Sequence, residues 1–153
     1  MHIPAFLRSA ALVALGWGLG FAAAATDVTV FAAPALKPVL AAMAPVFEKR
    51  TGNKVVVISA PVDAVAQRIR AGETFDLAVL PPALLEALGS DGAVSDGSII
   101  AVARDPAVPR SAGMYAAAVS TTASNSQPAL SLLILLASED TQAVLKGNGL
   151  AAP

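Results

Sequence analysis

The feature that most constrains this chain is an alternation of strand-like and helix-like segments in the first half of the sequence. Three short runs resemble strands: the first two are rich in the β-branched residues that favour strands, and the third is apolar after its first residue. Between them, apolar side chains recur every three or four positions, as on one face of a helix. The runs are residues 26–31, 55–58 and 76–80, and the helical positions are Leu36, Val39, Leu40, Met43 and Phe47 before Gly52, then Val62, Val65, Ala66 and Ile69 before Gly72. Strands that alternate with helices build a parallel sheet, which binds its ligands outside the carboxyl ends of the strands.

The second half of the chain continues this pattern. Strands are predicted at residues 99–103, before Asp105, and at 114–119; helices are predicted at 82–88, 128–137 and 139–146, the last capped by Ser138. In the helix at 128–137, the spacing predicts that Leu130, Leu133, Ile134 and Ala137 share the buried face. Pro45 lies inside the first predicted helix and is expected to kink or split it.

Residues 1–25 are expected to be a cleaved export signal. Arg8 supplies the positive charge, and an apolar core and a run of alanines follow it. The alternative is a membrane anchor, because no charge falls between Arg8 and Asp27. That run only just reaches the ~18 apolar residues that a span needs, and glycine and alanine dilute it. Cleavage leaves residues 26–153, the size of one ordinary domain, in the periplasm.

The composition of residues 26–153 excludes several classes of protein. His2 and Trp17, the only histidine and tryptophan, lie in the predicted signal, and the chain has no cysteine. Histidine- and cysteine-dependent nucleophiles, zinc fingers, disulfides and haem attachment are therefore excluded. Removing Arg8 leaves nine basic against eleven acidic residues, a net charge of −2 that gives no reason to expect a nucleic-acid partner. We predict no catalytic residue, no metal, no cofactor and no enzymatic activity.

The order of several short motifs resembles that of a known family. The motifs are Val-Phe-Ala-Ala at 30–33, Phe-Glu-Lys-Arg-Thr-Gly at 47–52, Val-Ala-Gln-Arg-Ile-Arg-Ala-Gly at 65–72, Phe-Asp-Leu-Ala-Val-Leu at 75–80, Tyr-Ala-Ala-Ala-Val-Ser-Thr-Thr-Ala-Ser at 115–124 and Leu-Lys-Gly-Asn-Gly-Leu at 145–150. Together they resemble periplasmic substrate-binding proteins of ABC importers, of the molybdate-binding type. The resemblance implies a type 2 periplasmic-binding fold, a small-molecule or oxyanion ligand, and an ABC permease as partner.

The chain departs from this family in two respects. Family members insert a complete second lobe between the strands that correspond to residues 99–104 and 114–119, and they close both lobes on the ligand. Here only residues 105–113 lie between these strands, so the resemblance implies a single lobe. Family oxyanion sites commonly carry serines where this chain has Ala35 and the pair Val62 and Asp63. The carboxylate of Asp63 would repel an oxyanion.

The candidate ligand-binding residues lie just after the three predicted parallel strands. They are Ala33, Pro34, Ala35, Val62, Asp63 and Pro81. Each also suits a structural role: a tight strand-to-helix turn for 33–35, a helix cap or first-turn carboxylate for Asp63 and a rigid loop for Pro81.

Four further residues have a ligand-binding interpretation beside a simpler one. Tyr115 either contacts a ligand or packs at the edge of its strand. Lys37, Arg68 and Arg70 are the basic residues expected near the rim of the site, where solvated helix faces also explain them. A hydrolase that uses Asp76 or Asp63 is a third interpretation, for which the sequence offers no partner residues.

We therefore predict an exported α/β protein with a three-layer α-β-α core, a single lobe of about five mostly parallel strands over residues 26–153. The leading interpretation is a solute-binding component of an ABC-type transport system, for a small anion such as molybdate. The alternative is a one-lobe protein-interaction module that has lost small-molecule binding. The carboxyl ends of the strands would present an apolar surface to water, so a two-fold homodimer is also expected.

Overall fold

The computed structural model describes residues 25–109 and 112–153, so the predicted export signal lies, except for Ala25, outside the described residues. The strands are β1 (Asp27–Ala32), β2 (Lys54–Ser59), β3 (Leu77–Leu80), β4 (Ile100–Arg104) and β5 (Met114–Val119). The helices are α1 (Lys37–Thr51), α2 (Val62–Arg70), α3 (Pro82–Ser90), α4 (Ser126–Leu136) and α5 (Glu139–Gly147). The strand–helix alternation predicted from the sequence is confirmed, with boundaries that move by one or two residues.

The five strands form one sheet in the order β2-β1-β3-β5-β4. β1 pairs in parallel with β2 and with β3, whereas β5 runs antiparallel to both β3 and β4. Four of the five strands therefore point the same way, as predicted. β5 is reversed because residues 105–113 are too few for the crossover that a parallel partner of β4 would need.

Helices cover both faces of the sheet. On one face, α1, α4 and α5 pack against the side chains of Val28, Val30 and Ala32 in β1. On the other face, α2 and α3 pack against Phe31 and the neighbouring strands. The alternation of β1 side chains between two cores is what a strand buried on both sides requires. The predicted three-layer architecture is confirmed.

The prediction of the buried face of α4 was wrong for three of its four residues, because Ala137, just past the end of the helix, is exposed as well. Leu133 is fully buried, but Leu130 is 39% exposed and Ile134 is 60% exposed. The helix is instead buried through Ala129, Leu132, Leu133, Leu135 and Leu136. Six of its eleven residues are leucine or isoleucine, so spacing alone does not mark a single apolar stripe.

Pro45 does not split the first helix, contrary to one of the two outcomes predicted for it. α1 is a single helix that continues through this residue, and Pro38 lies in its first turn. The carbonyl of Ala41, which loses its partner, belongs to an exposed residue where water can replace the missing hydrogen bond.

Among the described residues, no single helix has the length and apolar character to cross a membrane. Only when α4 and α5 are counted as one segment, with a 65° bend between them, are this length and composition reached.

Candidate functional site

The parallel strands end together at one end of the sheet, which we call the carboxyl end; the opposite end is the amino end. β1, β2 and β3 stop at Ala32, Ser59 and Leu80, and a helical turn begins within two or three residues of each. Residues 105–113 lie at the same end, because they join the last residue of β4 to the first residue of β5. The carboxyl end is where an open α/β sheet binds its ligands.

Five of the six candidate residues lie at least partly at the surface of the carboxyl end. Pro34, Ala35 and Asp63 are exposed, and Val62 and Pro81 are half-buried. Ala33 is different, because it is 1% exposed and its N–H donates to the carbonyl of Val79 in β3, at 2.9 Å. This hydrogen bond anchors the turn after β1 to the neighbouring strand β3.

Three helical segments begin at the carboxyl end without a side-chain cap. The residues before their first turns are Ala33, Pro61 and Pro81, none of which has a side-chain acceptor. In α2 the first intrahelical bond runs from Val65 to the carbonyl of Pro61, so the three N–H groups before it point out of the helix. These donors and the positive helix ends give the carboxyl end a polar component despite its apolar side chains.

Asp63 lies in the first turn of α2, one residue after the start of the helix. Of the two structural roles predicted for Asp63, the cap is wrong, because Pro61 occupies the cap position and no side chain bonds there, whereas the first-turn carboxylate is confirmed. Asp63 instead is the acidic residue of the first turn, where its charge interacts favourably with the helix dipole. The described ion pairs are Arg50–Asp140, Arg68–Glu73 and Arg70–Asp91, so Asp63 is not part of one.

Of the three basic residues expected near the rim, only Lys37 lies there. It begins α1 and is exposed. Arg68 and Arg70 belong to the last turn of α2, which points toward the amino end. Tyr115 is half-buried and packs against the core under α1, α4 and α5, which supports the packing interpretation.

Arg68 is held by two neighbours away from the carboxyl end. Its Nε donates to Glu73 Oε2 at 2.6 Å, and its guanidinium lies 4.9 Å from the centre of the Phe31 ring. The hydrogen bond from Arg68 lowers the pKa of Glu73, and the same bond raises the pKa of Arg68. Phe31 stacks on Phe75 with 5.3 Å between the ring centres, so this cluster closes one edge of the core under α2.

Asp76 has a structural role that the sequence did not predict. It is 5% exposed, and its two carboxylate oxygens accept N–H bonds from Thr29 (2.9 Å) and Asn125 (3.1 Å). Its own backbone bonds Thr29 and Ser120. Asp76 therefore ties β1, β3 and the segment after β5 together at the amino end. The one available signal was an acidic residue immediately before a fully apolar strand.

Two clefts border the amino end. One, of about 140 Å³, is lined by polar residues that include Asp27, Asp76 and Asn125. Another, of about 460 Å³, lies between the end of β5 and α4 and is lined largely by serine and threonine. Among residues 25–109 and 112–153, no cluster of three or more histidine, cysteine or acidic side chains is arranged to hold a metal.

A family profile described as "Bacterial extracellular solute-binding protein" matches residues 28–109, which is more than half of the chain. The matched stretch runs from β1 through β4 and contains all six candidate residues. No curated protein sequence matches the chain.

Several solved structures share this fold. A substrate-binding domain assigned to a molybdenum ABC transporter of Clostridium difficile superposes with a TM-score of 0.75 at 11% identity, in an alignment spanning 84% of this chain and 100% of the other. The periplasmic molybdate-binding protein of Azotobacter vinelandii gives 0.70 at 13% identity, spanning 82% and 99%. Iron-bound HitA from Pseudomonas aeruginosa gives 0.65 at 11% identity, spanning 79% and 84%. At such low identity these likenesses show the fold alone.

Proposed function

The chain belongs to the bacterial extracellular solute-binding family, and from that premise we propose that it is the exported solute-binding component of an ABC-type transport system. Its solute site is the carboxyl end of the sheet, formed by Pro34, Ala35, Val62, Asp63 and Pro81, with Ala33 as the support beneath. An ABC permease is then its membrane partner, and the periplasm is its location.

One observation carries this proposal. The family match covers the three parallel strands and the starts of the helices that follow them, which together form the carboxyl end. Open α/β sheets bind their ligands at this end, and the uncapped helix starts have free N–H donors that suit a polar solute.

The side chains at this end argue against tight binding of a doubly charged oxyanion by one copy of the chain. Closed sites bury ~70–90% of a ligand, whereas one lobe leaves one side of the solute in water. Each charge interaction is then weaker by about fourfold, in proportion to a dielectric constant nearer ~80 than ~20. Asp63 adds repulsion, about 0.7 kcal/mol per charge pair at about 6 Å in water. We expect a dissociation constant for molybdate or sulfate no tighter than about 1 mM.

Calorimetric titration of residues 26–153 with molybdate, sulfate and small organic acids tests the proposal. Asp63→Asn should tighten molybdate binding about tenfold, because it removes about 1.4 kcal/mol of repulsion from a doubly charged anion. Glu48→Gln, an exposed carboxylate within α1, is the matched control and should have no effect. Micromolar binding by the unmodified monomer, or an Asp63→Asn variant indistinguishable from it, would contradict the role given to Asp63.

A second candidate function is a one-lobe protein-interaction module that no longer binds small molecules. It is favoured by the side chains of the carboxyl end, where Ala35, Val62 and Asp63 stand at positions that commonly carry serines in the family that the sequence resembles. A thermal-shift screen separates the two functions. Transport is supported if a solute raises the melting temperature and this shift is lost in Pro81→Glu but kept in an exposed control such as Gln142→Glu. The interaction module is supported if oxyanions, organic acids and amines leave the melting temperature unchanged.

A further inference from the structure

We propose that the carboxyl end of the sheet is an interface with a second copy of this chain. The two copies are related by a two-fold axis, and Lys37 of each copy lies opposite Asp63 of the other. This inference deepens the proposed function, on which it rests in one respect: the second copy covers the open side of the proposed solute site.

The first observation is the apolar surface of this end. Its exposed or half-buried side chains come from all the turns that meet there. They are Pro34, Ala35, Pro61, Val62, Pro81, Pro82 and Ala83 after the parallel strands, and Pro106, Ala107, Val108 and Pro109 after β4. Val108, for example, is 37% exposed. Exposed apolar side chains grouped at one end of a domain favour a contact site, and proline-rich turns lose little entropy when they are covered.

The second observation is the placement of two opposite charges at the border of this surface. Lys37 begins α1, which packs on one face of the sheet, and Asp63 lies in the first turn of α2, which packs on the other face. Both residues are exposed, and neither belongs to the ion pairs formed among the described residues. The strands before them are neighbours, paired in register up to Ala32 and Ser59.

These positions specify how two copies fit together. A two-fold axis that lies in the plane of the sheet and crosses the strands exchanges the two faces of the sheet. It therefore brings Lys37 of the second copy to the face on which Asp63 of the first copy lies, about one strand spacing (~4.8 Å) to the side. The same axis creates the pair twice. The surface is thus self-complementary in charge, as an isologous dimer requires.

The area of the carboxyl end sets the affinity that we expect for the dimer. Four strand spacings of about 4.8 Å make the sheet about 19 Å wide, and the helix layers, about 10 Å from the sheet, make the end about 20 Å deep. The flat area is then about 400 Å², whereas stable complexes bury about 800 Å² of accessible surface per partner. The interface must use most of this end, and we expect a dissociation constant in the micromolar range.

Sedimentation velocity on residues 26–153, from about 1 to 500 µM and without added solute, tests the proposal. The unmodified protein should shift from monomer to dimer. We expect the dissociation constant of the dimer to rise at least tenfold in Lys37→Glu and in Asp63→Lys, because each variant places two like-charge contacts in the interface. The double variant should form the dimer with a dissociation constant within about threefold of that of the unmodified protein, since it restores both ion pairs with the charges exchanged.

Lys54→Glu, at the start of β2 at the amino end, is the matched control and should leave the dimer unchanged. Thermal melts confirm that each surface variant is folded. A constant monomer mass up to 500 µM overturns the proposal, and so does a double variant no better than the single ones. Because the mass is measured without solute, failure of the dimer is distinguishable from failure of solute binding, which the calorimetric titration reports separately.

Discussion

Replacing Asp76 by alanine is expected to destabilise the protein strongly without touching the proposed solute site. The carboxylate accepts two backbone N–H bonds, from Thr29 and Asn125, and both donors are partly buried. A hydrogen bond to a charged group contributes about 1.5–3 kcal/mol, so the two together amount to about 3–6 kcal/mol. Water can reach partly buried donors, which places the expected loss in the lower half of that range, about 3–4 kcal/mol.

Urea unfolding at pH 7 measures this loss directly. It corresponds to a fall in melting temperature of about 10–20 °C for a domain of this size. Asp76→Asn keeps one acceptor oxygen and should lose about half as much. Asp27→Ala is the control, because its exposed side chain lines the same cleft, and it should change the free energy of unfolding by less than about 0.5 kcal/mol.

A second measurement separates the hydrogen bonds from general damage to the core. Amide hydrogen exchange at Thr29 and Asn125 should accelerate in Asp76→Ala under native conditions, before exchange in the centre of the sheet changes. An Asp76→Ala variant within 1 kcal/mol of the unmodified protein would refute the structural role of this carboxylate.

Three further outcomes are expected. Leu133→Ala should cost about 2–5 kcal/mol of stability in urea unfolding, whereas Ile134→Ala, next along α4 but 60% exposed, should cost under about 1 kcal/mol; equal costs would contradict the buried face of α4. The hydrogen bond from Arg68 lowers the pKa of Glu73 from 4.5, so the stabilisation it brings is present above pH 4.5 and is lost as the pH falls through the lower folded pKa. The difference in unfolding midpoint between the unmodified protein and Glu73→Gln should therefore narrow below pH 4.5, and a pH-independent difference would count against the pair. Amino-terminal sequencing of periplasmic protein should begin within a few residues of Thr26, and full-length protein in the membrane fraction would indicate an anchor instead.

Local side-chain patterns were enough to predict the order of the elements and the layers into which they pack. β3 is an uninterrupted apolar run, so both of its faces must be buried. α2 places Val65, Ala66 and Ile69 on one face, so that face packs on the sheet. These patterns are local, because side-chain spacing within a segment decides which face leaves water. The carboxyl end of the sheet followed from the same alternation, and with it the surface that holds the candidate site.

Contacts between segments far apart in the chain depend on the folded structure and could not be predicted from local patterns. α4 is apolar on nearly every side, so its buried face was set by the helices and strands around it rather than by its own spacing. Asp76 reads from the sequence as a free carboxylate, but its partners are amides 47 and 49 residues away. Arg68 was expected at the rim, yet the direction of α2 carries it away from the carboxyl end. Each of these depends on contacts between residues far apart in the chain, which local periodicity does not encode.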